Sequence, residues 1–193
     1  MKDRRVSRTE KSIRNVFLDL LPQKSIYQIT VSEIAALANI GRGTFYAHYT
    51  DIFDLLSQIE DEVIENVHGL FISAYAEKSD GCMELWLNAF LDYVTTNKDI
   101  FLSLFSGNVC GHFEEKLKES IKEDIKNGLF PTAPVKNWDL ETRNRYYHVL
   151  FLSDSAIGMF RYWINNFTGN DWEHHKKRFI EIVLYCFRFL TRD

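Results

Sequence analysis

Between Gly41 and Tyr49 the chain reads Gly-Arg-Gly-Thr-Phe-Tyr-Ala-His-Tyr, a short run that mixes hydrogen-bond donors with large apolar rings. The donors suit a nucleic-acid duplex. Arg42 can fork onto guanine O6 and N7 or onto a phosphate, and the Thr44 hydroxyl and methyl can meet a phosphate or a thymine. Gly43 lets the backbone come close. Tyr46 and His48 can donate to phosphate oxygens, contacts that fix orientation without reading sequence. Phe45 and Tyr49, four apart, share a helix face and can face the core; Tyr49 also counts among the groups that could reach the duplex.

Such a segment needs a scaffold. Upstream, Val31, Ile34, Ala35 and Ala38 form a short apolar stripe whose small residues permit close packing. Thr30 stands at the N-cap position with Glu33 three residues on, a capping-box pattern, and its hydroxyl and nearby N–H groups can take a further phosphate. Asn39-Ile40-Gly41 then breaks the helix, and Gly41 is expected to supply the turn's conformational freedom. Ile13, Val16, Phe17, Leu20 and Leu21 make a preceding amphipathic helix closed by Pro22. Asp51 with Asp54 opens a long helix from Ile52 to about residue 77. Two short helices joined by a tight turn make a helix-turn-helix.

The charge is divided in the same way. The chain of 193 residues carries a net charge of −4. Residues 1–50 hold eight Lys/Arg against four Asp/Glu, net +4, and residues 51–193 hold 15 against 23, net −8. A basic start on an acidic remainder directs any polyanion to the first part.

Read in order, Thr30-Val31-x-x-Ile34-Ala35-x-x-Ala38-Asn39-Ile40-Gly41-Arg42-Gly43-Thr44-Phe45-Tyr46-Ala47-His48-Tyr49, followed by Asp51-x-x-Asp54-Leu55, resembles the N-terminal domain of TetR-like transcriptional regulators. The resemblance covers about residues 8–56. It implies an all-α fold of about nine helices: a three-helix helix-turn-helix head over 1–50, and a helical effector-binding and dimerisation body over 51–193. It also implies a homodimer on a palindromic operator, usually as a repressor. Two departures stand out. The family often has Ser where Gly41 stands, and Lys at the start of the fourth helix, where this chain has Ile52-Phe53. Arg4, Arg5 and Arg8 are then candidates to replace the missing phosphate contact.

The remainder also reads as helical, over about 82–96, 98–106, 109–126, 140–166 and 171–191. The segment 127–138, with two prolines, is a loop. The last helix is apolar nearly all round: Phe179, Ile182, Val183, Cys186, Phe187 and Leu190 form one stripe, with Ile180, Leu184, Tyr185 and Phe189 off it. Together with 140–166, where Gly158 permits close approach, it is expected to form the subunit interface. Tyr146–Gly169, with Phe101–Gly107, resembles a C-terminal type found in a Gram-positive subgroup of TetR-like regulators. A small-molecule pocket could be lined from Trp86, Phe90, Phe105 and Phe151, with Asp154 as a polar handle. A packed aromatic core and a regulator acting through a protein partner are the alternatives.

Other functions find no support in the residues. There is no nucleophile elbow, phosphate-binding glycine loop or metal-ligand spacing, so no enzyme, cofactor or metal is expected. Cys82, Cys110 and Cys186 are read as reduced core residues of a cytoplasmic protein. Charge interrupts every long apolar run, so no membrane span is expected.

Overall fold

The computed structural model describes residues 4–76, 81–109, 111–166 and 171–191. Cys110, and residues 167–169 of the Tyr146–Gly169 segment, lie outside them. Among the described residues there are nine α-helices and no strand: α1 (Arg4–Leu20), α2 (Val31–Leu37), α3 (Arg42–Tyr46), α4 (Ile52–Tyr75), α5 (Cys82–Thr96), α6 (Lys98–Leu104), α7 (His112–Leu129), α8 (Leu140–Asn166) and α9 (Trp172–Thr191). None is long and apolar enough to cross a membrane among the described residues. The all-α reading holds, with boundaries near those expected.

The helices form two compact units: residues 1–63 with 98–113, and 64–97 with 114–193. The first unit does not end near residue 50, because α6 belongs to it. Pro22 closes α1 and leaves carbonyls at its end without helical partners. Side chains from the α6 region take them. The Ser103 hydroxyl donates to the Leu18 carbonyl at 2.9 Å, and Asn108 Nδ2 donates to those of Leu21 and Pro22 at 3.0 and 3.2 Å. Phe101 and Phe113, both fully buried, pack 6.2 Å apart between ring centroids. Within the same unit Arg14 pairs with Glu62 at 2.5 Å, and His112 Nδ1 lies 3.0 Å from Oε2 of the fully buried Glu60.

The second unit is built around Trp86, Phe90, Ile157, Phe160, Phe179 and Val183, all buried. Helix α8 turns Val149, Ser153, Ile157, Phe160 and Ile164 inward. On α9 the buried set includes Ile180 and Leu184, which the expected stripe left out, whereas Ile182 and Cys186 are only half-buried. The proline-bearing loop closes on Trp138, which stacks on Phe130 at 5.5 Å and donates from Nε1 to the Ala133 carbonyl at 2.8 Å. Gly128 on α7 sits where space is tight. A Cβ there would meet the Phe71 ring at 3.0 Å.

Candidate nucleic-acid interface

Three local devices build the reading segment. Thr30 caps α2, its hydroxyl accepting from the Glu33 N–H at 3.2 Å. The reciprocal half of the capping box is absent, because the Glu33 carboxylate instead accepts from Lys24 Nζ at 2.5 and 2.6 Å. Asn39 ends α2 in the left-handed region with φ 53°. The Ile40 N–H then returns to the Ala35 carbonyl at 2.9 Å and the Asn39 N–H to that of Ala36 at 3.2 Å, a Schellman closure. The conformational demand of the turn therefore falls on Asn39. Gly41, expected to carry it, has φ −74° and ψ 149°, extended backbone open to any residue. Third, Asp51 and Asp54 start α4: the Asp54 N–H donates to Asp51 Oδ1 at 2.8 Å and the Thr50 N–H to Asp54 Oδ2 at 2.7 Å. That backbone bond holds the Asp54 carboxyl below its usual range.

On α3 burial and exposure fall at most positions where the helix period places them. Phe45 is fully buried, while Arg42, Gly43 and Thr44 are exposed and Tyr46 is 57% exposed. Two assignments change. Tyr49 is only 3% exposed and its ring packs 5.6 Å from Phe45, so it serves as an anchor and not as a side chain that reaches outward. Burial also pushes its phenol above the ordinary value. The His48 side chain is 12% exposed, with Nδ1 3.6 Å from Glu10 Oε1 on α1. It faces the scaffold more than solvent, because it follows Ala47 around the end of a helix only five residues long.

The sequence reading missed three groups near this surface. Ser32, exposed on α2, accepts from Arg42 Nη1 at 3.5 Å, a long contact that rests the guanidinium against the scaffold helix. Tyr27 and Phe53, 74% and 51% exposed, pair at 5.8 Å. Phe53 occupies a solvent-facing position on α4, which was the one available signal. Of the three N-terminal arginines, Arg8 is exposed on α1, and the side chains of Arg4 and Arg5 lie outside the described residues.

The five residues proposed for a ligand pocket do not converge. Trp86 and Phe90 line a cavity of about 40 Å³ in the second unit, together with Ser153, Ile157, Phe160 and Phe179. Phe105 instead belongs to the first unit, 5.4 Å from Phe113. Phe151 is 70% exposed on α8, opposite that helix's buried face. The Asp154 side chain is 51% exposed and pairs with the half-buried Lys122 at 3.1 Å, and it does not line the cavity. Cys82 and Cys186 are free and half-buried. No group of three or more His, Cys, Asp or Glu among the described residues could hold a metal ion.

Comparison with known proteins fits this arrangement. A family described as the C-terminal region of TetR-type transcriptional regulators matches residues 81–184, more than half of the chain. The HTH-type transcriptional regulator YxbF of Bacillus subtilis (strain 168) is 40% identical over 74 residues, which is 37% of this chain and 20% of that protein. The chain thus spans a fifth of the length of this relative. Among solved structures, a putative TetR-family regulator from Syntrophomonas wolfei superposes with a TM-score of 0.62 at 19% identity, covering 96% of each chain. The dihydroxyacetone kinase operon activator DhaS gives a TM-score of 0.59 at 22% identity, covering 94% of this chain and 97% of that one. At these identities the two structures speak for the fold alone, and the match over 81–184 carries the assignment: the chain belongs to the TetR family of transcriptional regulators, with a C-terminal region of the Gram-positive type.

Proposed function

We propose that this regulator grips a two-fold operator as a homodimer, reading each half-site with α3, and that a small molecule bound in the second unit alters the grip, usually to relieve repression. The observation that carries the first part is the division on α3: Arg42, Gly43, Thr44 and Tyr46 exposed, with Phe45 and Tyr49 buried beneath them. Thr30, at the exposed start of α2, adds a hydroxyl where the scaffold helix would cross a phosphate backbone. In a dimer the two copies of α3 must stand about one turn, ~34 Å, apart to enter successive major grooves.

Support for the dimer comes from unpartnered apolar surface. Tyr147, Phe151 and Tyr162 lie exposed on one face of α8, and Gly158 between them faces open space. Tyr185 and Phe189 stand out from α9, 73% and 71% exposed. Rings of this size in a row are costly to leave in water and suit a second copy of the same surface. A gel-shift titration against the DNA upstream of its own coding region tests the reading. Binding should weaken by a steep power of salt and should appear at a stoichiometry of two chains per site. Salt-insensitive binding, or a monomer by sedimentation at micromolar concentration, would count against it.

One observation favours a second reading, a regulator that works through a protein partner with no small effector. The apolar cavity among α5, α7, α8 and α9, the one that Trp86 and Phe90 line, has only about 40 Å³, far below the usual size of ligand sites. On this reading no small molecule shifts the operator-bound fraction.

A further inference from the structure

Two exposed rings of the first unit, Tyr27 and Phe53, have no part in the operator contacts proposed above. Tyr27 sits in the short turn before α2, Ile26–Gln28. Two backbone bonds close that turn: the Gln28 N–H donates to the Ser25 carbonyl at 2.9 Å and the Ile29 N–H to that of Ile26 at 3.2 Å. Ile26 and Ile29 are buried on either side, which leaves Tyr27 out in solvent. Phe53 lies in the first turn of α4, where Ile52, Leu55 and Leu56 are buried and it is not. The ring centroids of the pair are 5.8 Å apart, and the Tyr27 hydroxyl makes no hydrogen bond among the described residues.

Two rings and a hydroxyl held out together suit a partner that is apolar and polar at once. A DNA backbone is such a partner, with the C–H faces of deoxyribose beside phosphate oxygens that accept hydrogen bonds. Position points the same way. Tyr27 precedes Thr30 by three residues, and Arg42 at the start of α3 reaches Ser32 in the first turn of α2 at 3.5 Å, so the turn borders the exposed residues of α3. In helix-turn-helix docking the second helix enters the major groove and the first crosses the backbone. That carries a strand past the start of α2. Phe53 belongs to the helix joined to α3 by only five residues. The charged groups around the pair do not favour an ionic contact: Lys24 is held by Glu33, and Asp51 and Asp54 stand at the start of α4, each accepting from a backbone N–H. A neutral donor meets less opposition there than its absence of charge suggests, because both carboxylates are already engaged. We propose, resting on the operator-binding reading above, that Tyr27 and Phe53 form an uncharged clamp on the DNA backbone. Phe53 props the Tyr27 ring, the rings pack on deoxyribose, and the Tyr27 hydroxyl donates to a phosphate oxygen.

Such a clamp has a signature that ionic contacts lack. A cation on a phosphate releases counterions and steepens the salt dependence, whereas a phenol adds affinity and leaves the slope alone. Fluorescence anisotropy is measured between about 50 and about 200 mM salt, on the duplex upstream of the coding region and on one of unrelated sequence. Tyr27→Phe, which keeps the ring and removes the donor, should weaken binding to both duplexes by about threefold to tenfold, and Tyr27→Ala by more. The slope of log affinity against log salt should match wild type in both variants. Phe53→Lys puts a cation at the same spot and should steepen the slope by about one. Thermal melts check that each variant folds. Tyr27 variants that bind both duplexes like wild type, or Phe53→Lys with the wild-type slope, place the pair away from DNA and overturn the clamp. A loss confined to one duplex makes Tyr27 a reader of bases and overturns the backbone assignment. Wild-type protein that binds neither duplex defeats the operator-binding reading itself; binding that Arg42→Ala weakens and the Tyr27 variants do not defeats the clamp alone.

Discussion

The reading segment and the cavity solve opposite problems with similar residues. On α3 the chemistry is presented: exposed donors sit within four residues of the two rings that hold them down, and every device involved is local in sequence. In the second unit the chemistry is enclosed: side chains from residue 83 to residue 187 meet around about 40 Å³, and no two adjacent helical turns define the site. The difference predicts how each region tolerates change. An exposed contact can be removed with little cost to folding, whereas a group beneath it, or one in the enclosed site, alters stability and function together.

The largest expected effect comes from the anchor. Phe45→Ala removes a fully buried ring and should cost about 3–5 kcal/mol of stability by the scale of core aromatic truncations. Thermal unfolding should show the loss, and operator binding should fall with it; a variant that unfolds like wild type would break the distinction between anchors and contacts. Arg42→Ala should weaken operator binding by about 1–3 kcal/mol if its guanidinium forks onto a guanine. The melting temperature should hardly move, because the only hydrogen bond it gives up is the 3.5 Å contact to Ser32. Fluorescence anisotropy against the operator, paired with a thermal melt, separates the two quantities.

Enclosure has a pH signature of its own. Asp124 on α7 is 6% exposed, with one carboxylate oxygen 2.6 Å from His68 Nδ1 and the other without a partner. Burial raises its pKa above the usual carboxylate value; His68 pulls it back and Glu123 adds to the rise. For an acid with a raised folded pKa, the stabilising contribution is complete below the ordinary value and is lost as pH rises through the raised one. Asp124→Asn has no proton to lose. Its stability relative to wild type, followed by urea unfolding, should therefore grow as pH rises from about 4 through the raised Asp124 pKa. A constant difference would mean that the buried carboxylate is fully compensated.

The same contrast explains what could be read from the sequence. The helix-turn-helix was legible because a cap, a turn and two anchors fall within twenty residues, where spacing converts directly to geometry. Even there, residue type alone points to Gly41 for the turn although Asn39 takes the positive φ, since Asn and Gly both tolerate that region. His48 reads as outward-facing in the sequence because its neighbour on α1, Glu10, lies 38 positions away. The cavity was half legible: Trp86 and Phe90 belong to one helix face, but Ile157, Phe160 and Phe179 join them only by packing. Phe105 and Phe151 were indistinguishable from them by type, and neither the switch of α6 into the first unit nor the rotation of α8 leaves a mark in local periodicity.

The smallest expected effect tests how finely the presented site is tuned. Gly41 is the N-cap of α3 with extended backbone and no side-chain bond to the helix. A Cβ at this position would lie 3.9 Å from Thr44 Oγ1, ordinary contact distance. Gly41→Ser can therefore be accommodated without strain, and its hydroxyl can accept from an N–H in the first turn of α3, where Thr30 already shows the same bond for α2. Serine caps better than glycine by a few tenths of a kcal/mol, and losing a glycine also restricts the unfolded chain, so the variant should gain about 0.5 kcal/mol. For a chain of this size that is about 1–2 °C in melting temperature. Operator affinity should stay level or rise, because the added hydroxyl stands beside Arg42 on the exposed side. A fall in both would mean that the approach to DNA at Gly41 is too close for a side chain, and that glycine stands there for the partner's sake and not the helix's.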